Sequence, residues 1–257
     1  GMGRSVTEIE AVSRCLDLEP RGHVFAGSTR YLASLDAPEA SPAVVRLVEL
    51  ALAQPVGEPL YVLALGCLTN IANALLLEPA LVQRIVVVWT AGYPTHAPHV
   101  NRAFNLEQDL LATRLVFECG VPLVYLPGYH VGAQLRLSLP DMERQVRGRG
   151  AIGEHLHHLY THNPLWPMLG MEGPGRVDAD GAEPAYSWVI WDVINVAWLL
   201  EPDWVPSELV RTPRIGGDLR WQHEGAGAAP RPWMREAFAV QRDAIFTDFF
   251  RRLARLR

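Results

Sequence analysis

Asp192 is the residue whose surroundings say most about possible chemistry. It lies within the apolar segment of residues 187–200, and the pattern of that segment predicts one continuous helix. A bare carboxylate is costly to bury in such a helix, so we expect it to be hydrogen-bonded, to cap a helix or to bind a cation. A hydrogen-bonded structural aspartate is the favoured interpretation, and a metal ligand is the alternative.

The loop of residues 90–105 holds a second group of candidates, since it is rich in Gly, Pro, His and Asn. Asn105 precedes a predicted helix, and a role as helix cap alone would explain it. Asn101 is expected to be a turn residue and His96 to be exposed, with contact to a ligand as the alternative for each. Trp89 and Trp191 could stack on a flat ring, although tryptophan is also common in protein cores.

These residues need a scaffold, and the centre of the chain offers a strand–helix–strand unit. Residues 61–66 and 85–89 are short apolar runs, which are typical of strands buried on both faces of a parallel sheet. Between them, residues 71–77 predict a helix that Thr69 or Asn70 would cap. Ligands of open α/β sheets bind beyond the carboxyl ends of the strands, so we expect the binding region at the loops that follow these two strands.

The rest of the pattern predicts one domain over residues 1–257, an α/β fold with an open, mostly parallel sheet flanked by helices. Further helices are predicted at residues 5–18, 41–53, 106–119, 141–150, 151–162 and from 243 onward, and further strands at residues 23–27, 121–126, 208–222 and 234–240. Residues 163–186 predict a surface loop. Asp109, on the helix 106–119, is expected to face solvent or to pair with an arginine.

The composition argues against several classes of protein. The net charge of -5 argues against nucleic-acid binding. All 23 basic residues are arginine, which excludes Schiff-base chemistry and a P-loop, since both need a lysine amine. We also expect no membrane span, because no apolar run is long enough to cross a bilayer. Cys15, Cys67 and Cys119 are widely spaced and predict free thiols in a reducing compartment, the cytoplasm.

Motifs of a known type lie in five segments along nearly the whole chain, residues 65–72, 86–92, 101–109, 120–123 and 190–200. The first of them is Leu-Gly-Cys-Leu-Thr-Asn-Ile-Ala, which resembles the LGPLTNIA signature of the inosine/uridine-preferring nucleoside hydrolases. The last resembles the helix motif HDPLAVAYLL of that family, with Trp191 where many members have His. The five motifs follow the order of the family.

The resemblance implies an open α/β fold and hydrolysis of the N-glycosidic bond of purine or pyrimidine ribonucleosides. It also implies a calcium ion that binds the ribose hydroxyls and a water. Asp192 and one main-chain carbonyl, that of Trp89 or Thr90, would be calcium ligands, because calcium prefers oxygen. Asn105 and Asn101 would contact the sugar.

The sequence departs from the family pattern in ways that bear on catalysis. The family opens with a strand bearing DTDxGxDD, which supplies two calcium carboxylates and the general base, and this chain has no counterpart. Ala103 stands in place of a Glu, and Trp191 would lie beside the leaving base where others place His. The alternative to a hydrolase is therefore an inactive relative that binds nucleoside or ribose, or that acts as an interaction subunit.

The absent strand would lie inside the sheet of the family fold. Residues 1–5 already resemble an internal segment of the family, so we expect either a late start of the reading frame or loss of the front of the gene. The sheet should then have an exposed edge, which self-association into a homo-oligomer would cover.

Overall fold

The computed structural model describes residues 2–164, 166, 185–225 and 229–256. The strands are β1 Leu60–Ala64, β2 Ile85–Ala91, β3 Leu123–Pro127, β4 Arg136–Ser138, β5 Ser187–Val189, β6 Ser207–Arg211, β7 Arg214–Ile215, β8 Trp221–Gln222 and β9 Trp233–Ala237. The helices are α1 Met2–Cys15, α2 Pro42–Leu52, α3 Thr69–Leu77, α4 Phe104–Glu107, α5 Leu110–Glu118, α6 Leu139–Asp141, α7 Gly150–Thr161, α8 Val193–Leu200 and α9 Arg242–Leu253. None of these described helices has the length and apolar character needed to cross a membrane.

A five-stranded sheet in the order β1-β2-β3-β9-β6 forms the centre of the protein. The first four strands of that order run parallel, and β6 pairs antiparallel with β9. All but one of the residues of β2 are buried, because helices cover both faces of the sheet. The predicted fold, an open and mostly parallel α/β sheet flanked by helices, is thereby confirmed.

Two hydrophobic cores lie on opposite faces of this sheet. One packs α2, α3 and α5 against Val87 and Trp89, and the other packs α7, α8 and α9 against Val88 and Val124. Neighbouring residues of β2 enter different cores because side chains alternate between the faces of a strand. This alternation sets which β2 groups face α8, the helix that follows Asp192.

Within the described residues, β1 is the outermost strand on one side of the sheet. The Leu60 amide donates to the Arg84 carbonyl (2.8 Å), so by alternation the amides of Tyr61 and Leu63 point away from β2. The Tyr61 side chain next to them is 45% exposed. This is the kind of open edge that the sequence predicts, and the homo-oligomer expected to cover it stays a prediction.

The segment of residues 187–200 is not one helix, so that prediction is wrong. Its first three residues form β5, in which Val189 lies opposite Arg136 of β4, and helix α8 begins only at Val193. A short apolar run with Trp and Val fits a strand as well as a helix. Pairing with β4, a strand distant in sequence, decides between the two.

Two predictions near the start of α3 are also wrong. Residues 23–27 form no strand, and α3 begins at Thr69 with Leu68 in the N-cap position, so neither Thr69 nor Asn70 caps it. The Asn70 side chain instead accepts the amide of Ser28 (2.9 Å). The polar side chain that would cap the helix therefore fixes the connection that was predicted to be a strand.

Two predicted helices are interrupted. The helix 106–119 is split into α4 and α5, because Asp109 caps α5 by accepting the amide of Ala112 at 3.0 Å. Residues 141–150 continue from α6 into a single π-helical turn, Met142–Val146. The chain then leaves helical geometry at Arg147 and Gly148, and α7 begins at Gly150; both glycines have positive φ angles.

Candidate functional site

The carboxyl ends of β1 and β2 are joined to α8 by one buried amide, that of Asn195. Its Nδ2 donates to the carbonyls of Val88 (3.0 Å) and Ala64 (3.4 Å), and its Oδ1 accepts from the Thr90 hydroxyl (2.5 Å). Asn195 is not among the candidate residues predicted from the sequence. The signal that could have found it is the one applied to Asp192, a polar side chain in an apolar helix that must find partners.

Asp192 occupies the N-cap position of α8 and not the middle of a helix. Its main-chain oxygen accepts from the amide of Asn195 (3.2 Å). Its carboxylate, however, makes no cap hydrogen bond and no ion pair within the described part of the chain. Burial raises the pKa of this carboxyl from the ordinary value of 3.8 to about 6. The favoured expectation, a hydrogen-bonded structural aspartate, is therefore contradicted, and the site contains a desolvated carboxylate with free oxygens.

Asn105 binds the same stretch of β2. It lies inside α4, whose N-cap is Ala103, so the prediction that Asn105 caps a helix is wrong. Its Nδ2 donates to the Thr90 carbonyl at 3.0 Å, while its Oδ1 has no partner among the described residues. Thr90 thus contacts Asn105 through its carbonyl and Asn195 through its hydroxyl. Asn105 thus contacts Thr90 directly, and Asp192 is linked to Thr90 through Asn195. That these three residues form one binding site stays a prediction.

Aromatic rings from three segments form a cluster next to this group. The Tyr93 ring lies between His99 and Tyr129, with centroid distances of 4.4 and 4.5 Å. His130 meets Tyr93 edge to face at 5.3 Å, and Tyr129 meets Trp191 in the same way at 6.0 Å. Because Trp191 directly precedes Asp192, the cluster reaches the chain at the residue before the candidate carboxylate.

Trp89 and His96 lie apart from this group. The Trp89 indole is fully buried and packs against Phe117 and Tyr125, so its ring cannot stack on a ligand. His96 is exposed, as expected, and lies near the buried carboxylate of Glu236. Any contact between His96 and a ligand stays a prediction.

Asn101 is buried, and both ends of its amide bind main-chain groups. Its Oδ1 accepts from the amide of Tyr93 (2.8 Å), and its Nδ2 donates to the carbonyl of Leu219 (3.1 Å). These bonds fix the loop after β2 against the β7–β8 hairpin. A sugar contact by Asn101 stays a prediction, which this geometry does not favour.

Asp109 neither faces solvent nor pairs with an arginine, so that prediction is wrong. It is buried, and besides capping α5 its Oδ2 accepts from the amide of Leu32 (2.9 Å) and from the Thr69 hydroxyl. These partners are distant in sequence, and no local pattern around Asp109 reveals them. The residue ties the start of α3 to two other segments beneath the candidate site.

The described residues do not fit a calcium site. Asp192 supplies one free carboxylate, and the Thr90 carbonyl already accepts from Asn105. Across the ranges that the structure describes, no group of three or more His, Cys, Asp or Glu side chains could hold a metal. Calcium takes about six to eight oxygen ligands. No catalytic step through calcium follows from these residues.

The family model described as inosine-uridine preferring nucleoside hydrolase matches residues 5–240. The non-specific ribonucleoside hydrolase RihC of Salmonella newport (strain SL254) is 33% identical over 171 residues, which cover 65% of this chain and 48% of that protein. The chain thus spans about half the length of the curated relatives that it matches.

Two solved structures have the same fold. The purine-preferring ribonucleoside hydrolase from Gardnerella vaginalis has a TM-score of 0.74 at 18% identity, over 99% of this chain and 86% of that chain. The inosine-uridine preferring nucleoside hydrolase from Bacillus anthracis has a TM-score of 0.60 at 22% identity, over 85% and 67% respectively. Since the family model covers most of its length, the chain belongs to the inosine-uridine preferring nucleoside hydrolase family.

Proposed function

We propose that this protein hydrolyses the N-glycosidic bond of purine or pyrimidine ribonucleosides. The observation that carries the proposal is the Asp192 carboxylate, desolvated and without a partner in the described residues, at the carboxyl end of the sheet. Breaking an N-glycosidic bond builds positive charge on the sugar, and a preorganised carboxylate stabilises such charge. Membership of the family supports the assignment.

Asn105 is suited to hold the sugar. Its Nδ2 is fixed on the Thr90 carbonyl, which leaves Oδ1 to accept a hydrogen bond from a ribose hydroxyl. A hydrogen bond that positions the sugar beside Asp192 lowers the entropic cost of reaching the transition state. Trp191, which directly precedes Asp192, and Tyr129, which contacts its ring, are suited to contact the leaving base.

The proposal also includes a metal cofactor, a class of substrate, and the assembly and location of the protein. Calcium is the proposed metal cofactor, with Asp192 as a ligand, although the remaining oxygen ligands are not among the described residues. The substrate partner is a free ribonucleoside and not a nucleic acid, in keeping with the net charge of -5. A homo-oligomer in the cytoplasm is the proposed form and location of the protein.

The experiment that tests the proposal is ribose release from inosine and from uridine, with added calcium and again with excess chelator. Wild type should release ribose, and Asp192→Asn should lower kcat/KM by about a hundredfold or more, as for loss of one charged transition-state contact. Asp36→Asn is the matched control, because Asp36 is exposed in a turn and should leave the rate unchanged. Loss of release in chelator would support the metal.

A nucleoside-binding relative without catalysis is the second candidate function. The observation that favours it is Ala103, which is buried beside Asn105 where the family pattern has a Glu, so one sugar contact is missing. A folded wild-type protein that binds inosine, yet releases no ribose with or without calcium, would refute the hydrolase and support this alternative.

A further inference from the structure

The loop of residues 92–103, called the β2 loop here, carries one wall of the aromatic cluster. It joins β2 to α4 and holds Tyr93 and His99, whose rings lie 4.4 Å apart. Tyr93 in turn packs against Tyr129, the ring that contacts Trp191. The position of this loop therefore decides how the aromatic surface lies against the candidate site.

A buried carboxylate holds the β2 loop from the far side. Glu236 is only 5% exposed, and its two oxygens both bind Thr95: Oε1 accepts from the amide at 2.6 Å and Oε2 from the hydroxyl at 2.5 Å. Glu236 lies in β9, opposite Tyr125 of β3. Both bonds are short and charge-assisted, which makes them stronger than bonds between neutral groups.

The placement of Glu236 is costly for the fold. On β9, Ala237 next to it and Met234 two residues before it are buried apolar residues, while Arg235 between Met234 and Glu236 is exposed. Burial raises the pKa of the Glu236 carboxyl, while the bonds from Thr95 and the nearby His96 and His223 act in the opposite direction. An apolar side chain would fill this strand position without that desolvation cost. The carboxylate therefore needs an explanation beyond packing of the sheet.

Further hydrogen bonds hold the main chain of the β2 loop at Tyr93 and Thr95. The Tyr93 carbonyl accepts from the Tyr125 hydroxyl (2.8 Å) and from the indole of Trp221 (3.0 Å). The Thr95 carbonyl lies 2.9 Å from the His223 Nε2. The main chain on both sides of residue 94 is thus fixed, and Glu236 provides the charged part of that attachment.

We propose that Glu236 is a positioning residue for the nucleoside site, which holds Thr95 and thereby sets the ring of Tyr93 against Tyr129, the ring that contacts Trp191. This rests on the proposed function, since it assigns the aromatic cluster to the leaving base. Glu236 acts through the loop and touches no substrate, because both of its oxygens are occupied by Thr95.

The test compares Glu236→Ala, Glu236→Gln and Thr95→Ala with a control, Glu208→Ala. Glu208 lies opposite Glu236 on β6 and is exposed, so it matches the position in the sheet without the contact. Glutamine can accept from the Thr95 amide and donate to the Thr95 hydroxyl, so it should rescue the contact. Thr95→Ala removes only the bond from the Thr95 hydroxyl to Glu236 and keeps the bond from the amide. It therefore tests the same contact if Glu236→Ala fails to fold.

Two measurements separate this proposal from the proposed function. The first is hydrogen exchange of the β2-loop amides, which should rise about tenfold or more in Glu236→Ala, by loss of charge-assisted bonds. It should rise less in Glu236→Gln, which can keep both bonds without the charge, and should stay at the wild-type level in Glu208→Ala. The second is ribose release from inosine, in which Glu236→Ala should raise KM about tenfold with kcat within about threefold of wild type.

The results of the two measurements test the role of Glu236 and the proposed function separately. Unchanged exchange in Glu236→Ala and Thr95→Ala would overturn the proposal whatever the kinetics. Faster exchange with an unchanged KM would overturn it as well, because the loop would then move without effect on the substrate. If the wild type neither binds inosine, followed by tryptophan fluorescence, nor releases ribose, the proposed function fails. That result would also overturn the role of Glu236 in a nucleoside site, even with the exchange result as expected.

Discussion

Replacing Asp192 with asparagine should make the metal-free protein more stable at neutral pH. The carboxylate is desolvated, and no described residue donates to it, so its charge opposes folding. Asparagine has nearly the same shape and no charge. The substitution that is expected to abolish activity should therefore stabilise the fold, as is common where an active site conflicts with stability.

The magnitude follows from the pKa. A carboxyl pKa raised from 3.8 to about 6 corresponds to about 3 kcal/mol, at roughly 1.4 kcal/mol for a tenfold change in proton affinity. Because Asp192 is only partly buried, solvent screening reduces the expected gain of Asp192→Asn to about 2 kcal/mol. For a domain of this size, about 2 kcal/mol corresponds to a rise in melting temperature of roughly 4–8 °C.

The pH dependence has a definite sign. Below the unfolded pKa of 3.8, Asp192 is protonated in both states and has no cost. Between that pH and about 6, the unfolded chain ionises first, so the wild type loses stability as the pH rises. Above the folded pKa the full cost is present. The free energy of unfolding of Asp192→Asn should thus exceed that of wild type by an amount that grows from pH 3.8 to about 6 and stays constant at higher pH.

The assay is urea unfolding in the presence of chelator, from pH 4 to pH 8. Asp36→Asn is again the control, since Asp36 is exposed in a turn and its substitution should leave the stability close to that of wild type. Equal or lower stability of Asp192→Asn at neutral pH, or a difference that does not change with pH, would refute the reasoning. Either result would mean that the carboxylate has a partner or is well solvated.

Three further outcomes are expected. Asn105→Ala should lower kcat/KM for inosine by about tenfold to a hundredfold, since it removes the sugar acceptor, while Asn105→Asp should retain part of the activity. Thr90→Val should cost about 1–3 kcal/mol in urea unfolding, because it leaves the buried Oδ1 of Asn195 without its donor, and Thr90→Ser should restore it. Tyr61→Lys should shift sedimentation towards the monomer if the β1 edge pairs with a second copy, because a charge opposes edge pairing.

The sheet could be predicted from sequence because its strands are short apolar runs whose burial on two faces is a local property. The order of β1, α3 and β2 follows from that pattern, as does the position of Thr90 and Asn105 at the end of β2 and in the connection after it. A place for Asp192 beside them is implied only by the resemblance to the family. What failed depends on distant partners. Residues 187–200 divide into β5 and α8 because β4 supplies a pairing strand, which their own sequence does not reveal.

The polar residues show more clearly that partners distant in sequence cannot be predicted from a local pattern. Asn195 was missed, although an amide in an apolar helix is as informative as a carboxylate there, and its three partners lie on β1 and β2. Asp109 was assigned to solvent because its partner Leu32 is far away along the chain. A sequence shows that a buried polar group needs partners, and only the fold shows whether it has them.

That distinction is the strongest argument for the role of Asp192. The carboxylates of Asp109 and Glu236 are buried, and that of Asp192 is partly buried and desolvated. Asp109 accepts three hydrogen bonds and Glu236 accepts two, so the fold satisfies these two groups from its own donors. Asp192 accepts none from the described residues, although Asn195 one turn away is fully bonded. A fold that satisfies two buried carboxylates from its own donors, yet leaves this one without a donor among the described residues, supports the proposal that Asp192 is kept for a ligand.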